Sequence, residues 1–257
     1  MTTAMVTGAS SGIGKTFCEQ LAARGDDLVV VARDEARLGA LRDELQTAYG
    51  ITVEVLAADL IDREQLGRVA ERLSDPARPI DVLVNNAGFG LRKSFLRNEI
   101  GDEERMLDLL VRAPVVLSHA AARAMRDRGR GTIINVSSVA GGLSSGTYAA
   151  AKSYLTSFSQ GLASELQGSG VQVTALLPGF TRTEFHDRAG IDGAAIPKAM
   201  WLSADKLVRD ALTDVDKGRT LSVPGAQYKV IVPLLRIAPR SLLRRQGIVA
   251  RHRPNRT

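Results

Sequence analysis

Short, almost unbroken apolar runs alternate along this chain with longer stretches in which apolar residues recur every three or four positions. The runs fall at 3–7, 27–32, 51–57, 80–85, 131–137, 171–177 and 219–223, and most are β-branched and apolar nearly throughout. Strands of that kind suit a sheet covered on both faces. Helix-like stretches lie between them, near 13–24, 34–49, 62–73, 102–127, 148–168 and 203–214. Leu38, Leu41 and Leu45, with charges between them, show the helical period. The alternation predicts parallel βαβ units in a single doubly wound α/β domain with a seven-stranded parallel sheet.

No repeat, low-complexity tract or linker divides residues 1–224, and a single α/β unit of this size is ordinary. The stretch 179–202 has no clear period and contains Gly179, Gly190, Gly193 and Pro197. A long irregular segment inside a compact domain is usually functional, and a substrate lid is expected there. Its apolar residues Phe185, Ile191, Ile196, Met200 and Trp201 either form that lid or only cap the core. Residues 225–257 read as a basic, partly apolar extension.

Composition excludes several classes. With 44% apolar and 24% charged residues the chain is neither disordered nor collagen-like. Cys18 is the only cysteine, so no intrachain disulfide forms and a reducing compartment is expected. The opening residues lack a basic n-region, and no apolar run approaches the length of a membrane span, so a cytoplasmic protein is expected. His119, His186 and His252 show no metal spacing, and no metal is expected.

The net charge of +6 hides an asymmetry. Ten basic residues and no acid follow Asp216, so the body before them is mildly acidic. The tail admits three readings. It is a solvated or disordered charged end, a peripheral anchor to anionic lipid, or a nucleic-acid contact. Val230, Ile231, Leu234, Leu235 and Ile237 beside Arg236, Arg240, Arg244 and Arg245 suit the second. Nucleic acid is not expected as a partner, because Tyr228 is the tail's only aromatic residue and stacking platforms are missing.

The first strand runs into Gly8-Ala9-Ser10-Ser11-Gly12-Ile13-Gly14 and then a helix. A glycine at a strand end permits a tight turn. The later glycines let the backbone approach a diphosphate and the helix pack close to the sheet. The N–H groups and dipole at the helix start favour an anion. Three glycines between a first strand and a first helix therefore point to dinucleotide phosphates.

The spacing is Gly-x-x-x-Gly-x-Gly. Together with Asn85-Asn86-Ala87-Gly88 after the fourth strand and Tyr148-Ala149-Ala150-Ala151-Lys152, it resembles the short-chain dehydrogenase/reductase superfamily over residues 2 to about 224. The resemblance implies an NAD(P)-dependent oxidoreductase that interconverts a carbonyl and a secondary alcohol. Ser138 would orient the reacting oxygen, Tyr148 would exchange the proton, and Lys152 would tune the tyrosine and hold the nicotinamide ribose. Tyr148 and Lys152 stand four apart, so they share a helix face. A phenol near pKa 10 works at neutral pH only if its anion is stabilised, and a nearby ammonium and a positive nicotinamide ring are expected to lower it.

The same resemblance assigns Gly8, Ser10, Ser11, Gly12, Ile13 and Gly14 to the phosphates, Asp59 to the adenine, and Asn86, Ala87 and Gly88 to the cofactor wall. Pro178, Gly179, Thr181 and Thr183 would meet the nicotinamide carboxamide. It also implies a homodimer or homotetramer built on helices 102–127 and 148–168. The second strand ends at Arg33-Asp34. An acid there would take the ribose 2′-OH of NAD, and a basic residue the 2′-phosphate of NADP. Arg33 comes first and favours NADP(H) over NAD(H), with Lys15 as a second charge, while Asp34 also suits a helix N-cap. Two departures stand out. The Ser138-to-Tyr148 loop is short, and Leu110 stands where the family often has an asparagine in its proton relay. Leu110 reads either as core, with a backbone carbonyl serving the relay, or as a slowed proton path. The apolar lid and tail favour a lipophilic substrate such as a fatty ketone, ketoacyl thioester or steroid. The competing reading is a dinucleotide-binding module with little turnover, acting as a redox-responsive scaffold.

Overall fold

The computed structural model describes residues 2–185 and 196–237, with backbone alone at 235–237. His186, Ile191, Gly190, Gly193, His252 and the arginines from Arg240 onward lie outside the described residues. Seven strands form one parallel sheet: β1 Thr3–Thr7, β2 Asp27–Ala32, β3 Val53–Ala57, β4 Val82–Asn85, β5 Gly131–Val136, β6 Val171–Leu176 and β7 Leu221–Ser222. Their order is β3-β2-β1-β4-β5-β6-β7. The helices between them are α1 Gly12–Ala22, α2 Glu35–Tyr49, α3 Arg63–Ser74, α4 Ile100–Leu107, α5 Ala113–Arg128, α6 Gly146–Glu165 and α7 Ala204–Asp216. A last helix, α8, spans Ala226–Ile237.

Both sheet faces are buried, which explains why the strands are apolar throughout. Ala4, Val6, Leu28 and Val30 pack one core with Phe17, Leu38 and Leu207. Met5, Val29 and Val31, pointing the other way, join Leu66, Leu83 and Leu117. The period-two alternation of strand side chains thus feeds two cores rather than a core and solvent. Helix α2 is typical of the covering layer. Asp34 caps it by accepting from Arg37 N at 3.0 Å, Gly50 ends it with φ 69°, and Leu38, Leu41 and Leu45 bury its inner stripe. Full burial of each leucine contributes about 1.5–3 kcal/mol.

Three elements differ from the sequence pattern. The single helix expected over 102–127 is interrupted by a π-helical turn at Asp108–Arg112. The strand expected over 219–223 is only two residues long. The start of the tail is helical and docked along one side: α8 carries Tyr228, 1% exposed, and Val232, 7% exposed, into the cores. Pro233 sits inside it.

Candidate active site

Strand β1 lies between β2 and β4, and the connections from its two sides lead in opposite directions along the sheet. Such a switch point opens a crevice at the carboxyl ends of the strands. The ends of β1 and β4 are stapled there. Thr7 Oγ1 accepts from Asn86 N at 3.0 Å and Ala87 N at 3.1 Å, and donates to Val84 O at 3.3 Å. Asn86 Nδ2 donates to Thr7 O at 2.9 Å.

The glycine turn fits a close backbone approach. Gly8 has φ 66°, and a side chain on it would start 2.9 Å from Ala87 Cα. On Gly14 it would start 2.2 Å from Gly8 O, so any larger residue would push α1 off the turn. Gly12, φ 55°, faces Thr183, whose Cβ would lie 3.2 Å from a side chain at that position. Ser11, the N-cap of α1, makes no side-chain capping bond. With no such bond from Ser11, the first N–H groups of α1 suit an anion. Ser10, Ser11 and Ile13 are part-exposed along this cradle, and Gly88 is exposed beyond it. These are features that a dinucleotide diphosphate requires, and the residues present fit it.

Arg33 is exposed just past β2 and has no hydrogen bond or ion pair among the described residues. Asp34 is committed to its cap and to Arg37, 3.6 Å away. Lys15, the second charge expected from the sequence, is engaged by Glu44 at 2.9 Å and Glu19 at 3.7 Å. Asp59 Oδ1 accepts from Ile61 N at 3.0 Å at the end of β3. Pro178 O accepts from Val139 N at 3.0 Å, tying the segment after β6 to the residue after Ser138. Thr181 is 2% exposed, and its hydroxyl donates to Gly179 O at 3.0 Å. Thr183 Oγ1 donates to Thr181 O and accepts from Phe185 N, each at 3.4 Å.

Ser138, Tyr148 and Lys152 come together past the end of β5. Ser137 is buried and spent on structure: it donates to Lys152 O at 2.6 Å and shares a hydrogen bond with Thr156 at 2.7 Å. Ser138 is the serine that lies close enough to the Tyr148 phenol to favour its ionisation. Burial raises that phenol to about 12, and Ser138 only partly opposes it. Burial lowers the Lys152 ammonium to about 8. Lys152 Nζ stands 5.8 Å from the Tyr148 ring centroid and donates to Val136 O at 2.7 Å. Desolvation is the larger of the two influences on the phenol.

Leu110 is 1% exposed and packs with Met106 and Ala151, against which Tyr148 and Phe89 also rest. It is core, and the lysine finds a backbone carbonyl. Asn98 is engaged with Glu103 Oε1 at 2.6 Å. Of the expected lid residues, Phe185 meets Tyr148 with ring centroids 5.9 Å apart, Ile196 is buried, and Met200 packs on the main core. Trp201 contacts Phe180 and Arg182. Among the described residues no helix is long and apolar enough to cross a membrane, and no three His, Cys, Asp or Glu side chains group to hold a metal. Cys18 is buried, and burial pushes its thiol well above the ordinary range.

Residues 2–192 match the family model of the short chain dehydrogenases. The chain belongs to that family. It is an oxidoreductase of the kind that acts on CH–OH and C=O groups with a nicotinamide cofactor. A short-chain dehydrogenase from Sphingobium yanoikuyae, solved in complex with NADPH, is 39% identical and superposes with a TM-score of 0.86 over 95% of both chains. The bulky-bulky ketone specific alcohol dehydrogenase from Comamonas testosteroni is 32% identical, with a TM-score of 0.81 over 99% of both. The 3-oxoacyl-(acyl-carrier-protein) reductase FabG of Escherichia coli is 33% identical over 88% of this dehydrogenase and 97% of its own length.

Sequence reasoning missed two contacts. Arg37 reaches Glu184 at 3.7 Å, joining the start of α2 to the segment after β6. Tyr228 holds Phe180 and Met200. Neither carries a local sequence signal, because each pairs residues far apart in the chain.

Proposed function

We propose that this dehydrogenase uses NADP(H) to interconvert a carbonyl and a secondary alcohol on a lipophilic substrate. The observation that carries the reading is the convergence of Ser138, Tyr148 and Lys152 beside a glycine cradle. Three further points support NADP(H): Arg33 without a partner among the described residues, the capping role of Asp34, and similarity to a dehydrogenase solved with NADPH. The apolar contacts of Phe185 with Tyr148 support a lipophilic substrate, as does similarity to a bulky-ketone dehydrogenase and to a ketoacyl reductase.

In this reading Gly8 to Gly14 hold the diphosphate, with Asp59 at the adenine, and Asn86, Ala87 and Gly88 form the cofactor wall. Pro178, Gly179, Thr181 and Thr183 hold the carboxamide. When bound, the cofactor supplies or accepts the hydride. Ser138 fixes the substrate oxygen, and Tyr148 gives it a proton during reduction or takes one during oxidation. Lys152 replenishes that proton and holds the ribose. Residues 179–202 serve as the substrate lid. A homodimer or homotetramer is proposed on α4 to α6, which expose Ile100, Leu107 and Tyr154.

The test is a panel of ketones and ketoacyl thioesters with NADPH. Turnover is expected on at least one, falling by a factor of about 10² or more in Tyr148→Phe while NADPH binding persists. Tight NADPH binding with no turnover on any carbonyl would replace the enzyme reading with the binding module.

A further inference from the structure

The contact that neither the motif set nor the proposed chemistry uses is made by Tyr228 in the first turn of α8. Its hydroxyl accepts from Phe180 N at 2.9 Å and donates to Met200 O at 2.6 Å. Its ring covers Gly179 so closely that a side chain there would start 2.0 Å from Cζ. Gln227, the neighbouring residue, donates to Ala199 O at 3.3 Å. One turn of helix thus binds the chain as it leaves β6 and again as it returns toward α7.

Among the described residues other bonds hold the same backbone. Leu202 N donates to Phe180 O at 2.8 Å, and Arg182 N donates to Leu202 O at 3.0 Å. Thr183, three residues beyond Phe180, lies against Gly12 of the phosphate cradle. Pro178, two residues before Phe180, is bonded to the residue after Ser138. A phenol bonded at Phe180 thus adds a side-chain anchor in the middle of Pro178 to Thr183. Small displacements there matter, because a misplacement of about 1 Å can cost a hundredfold in a reaction that depends on alignment.

We propose that Tyr228 is a positioning residue for the cofactor, acting through the backbone of Gly179 to Thr183. The inference rests on the reading above, in which that segment meets the nicotinamide. It gives α8 a task distinct from any surface or lipid contact of the tail.

Trp201 is the chain's only tryptophan and directly follows Met200, so its fluorescence reports on the clamp. The experiment compares wild type with Tyr228→Phe, which keeps the ring over Gly179 and removes both hydrogen bonds. Acrylamide quenching of Trp201 and the NADPH dissociation constant are measured on the full chain. Quenching is expected to rise about twofold, and the dissociation constant about fivefold or more, the scale of a lost hydrogen bond. The pH midpoint of turnover is expected to stay put, since Tyr148 and Lys152 are untouched. An unchanged dissociation constant overturns the proposal whatever the tryptophan does. If Tyr228→Phe does not fold, Gln227→Ala decides the matter: a smaller shift in the same direction supports the clamp, and none overturns it. A wild type that fails to bind NADPH at all would instead overturn the cofactor reading itself.

Discussion

Lys152 is the residue whose surroundings translate most directly into a pH dependence. Burial lowers its ammonium to about 8, against an ordinary value of 10.5. Below that point the charge is present and Tyr148, held at about 12, keeps its proton. Ketone reduction needs both. As pH rises through about 8 the amine becomes neutral first, so kcat/KM for reduction at saturating NADPH should fall with a midpoint near 8. Lys152→Met should remove that step along with most activity. A profile that stays flat until the tyrosine titrates would refute the assignment. Much at this scale was legible. The Tyr-x-x-x-Lys spacing fixed a shared helix face, and the choice of Ser138 over Ser137 agrees with Ser137 being taken up by Lys152 O and Thr156. The direction of the phenol's shift was not legible, because desolvation depends on Leu110 and Met106 packing against Tyr148 from other elements.

At the scale of elements, the turn from β2 into α2 separates two roles that adjacent residues share in the sequence. Asp34 closes the first turn of α2, and such a cap contributes about 1 kcal/mol. Arg33 has no structural partner among the described residues. Asp34→Ala should therefore lower Tm by a few degrees and leave the ratio of NADPH to NADH kcat/KM unchanged. Arg33→Ala should leave Tm unchanged and reduce that ratio about tenfold or more, since a guanidinium pairs bidentately with phosphate. Differential scanning calorimetry and parallel kinetics with the two cofactors check both. The reverse pattern would mean that Asp34 contacts a ribose. The strands were legible because each is buried on both faces. The break in the long helix was not, since a π turn at Asp108–Arg112 adds one residue without disturbing the apolar spacing. Helix α8 was hidden by Pro233, which normally ends a helix but here falls beyond the turn that Tyr228 and Val232 pin to the core.

At the scale of the whole molecule, charge and structure divide the tail at different points. The basic excess begins after Asp216, whereas the described fold extends to Ile237. A cut at Gly225 would remove Tyr228 along with the arginines, and lost membrane binding could not then be separated from a damaged site. A cut after Ile237 removes six arginines, from Arg240 to Arg256, and spares the clamp. On the side of α8 away from Tyr228, Val230 is 62% and Leu234 is 54% exposed, so an apolar strip adjoins the basic segment. That pairing favours peripheral attachment to an anionic bilayer, where each basic residue near the surface contributes about 1 kcal/mol. The full chain should therefore co-sediment with phosphatidylserine vesicles at low salt, and less so as salt is raised, because the attraction is screened. The chain ending at Ile237 should pellet far less while binding NADPH as tightly as the full protein. Equal pelleting of the two chains would remove the arginines from any membrane role. Weakened NADPH binding in the shorter chain would instead place residues 238–257 in the working of the site.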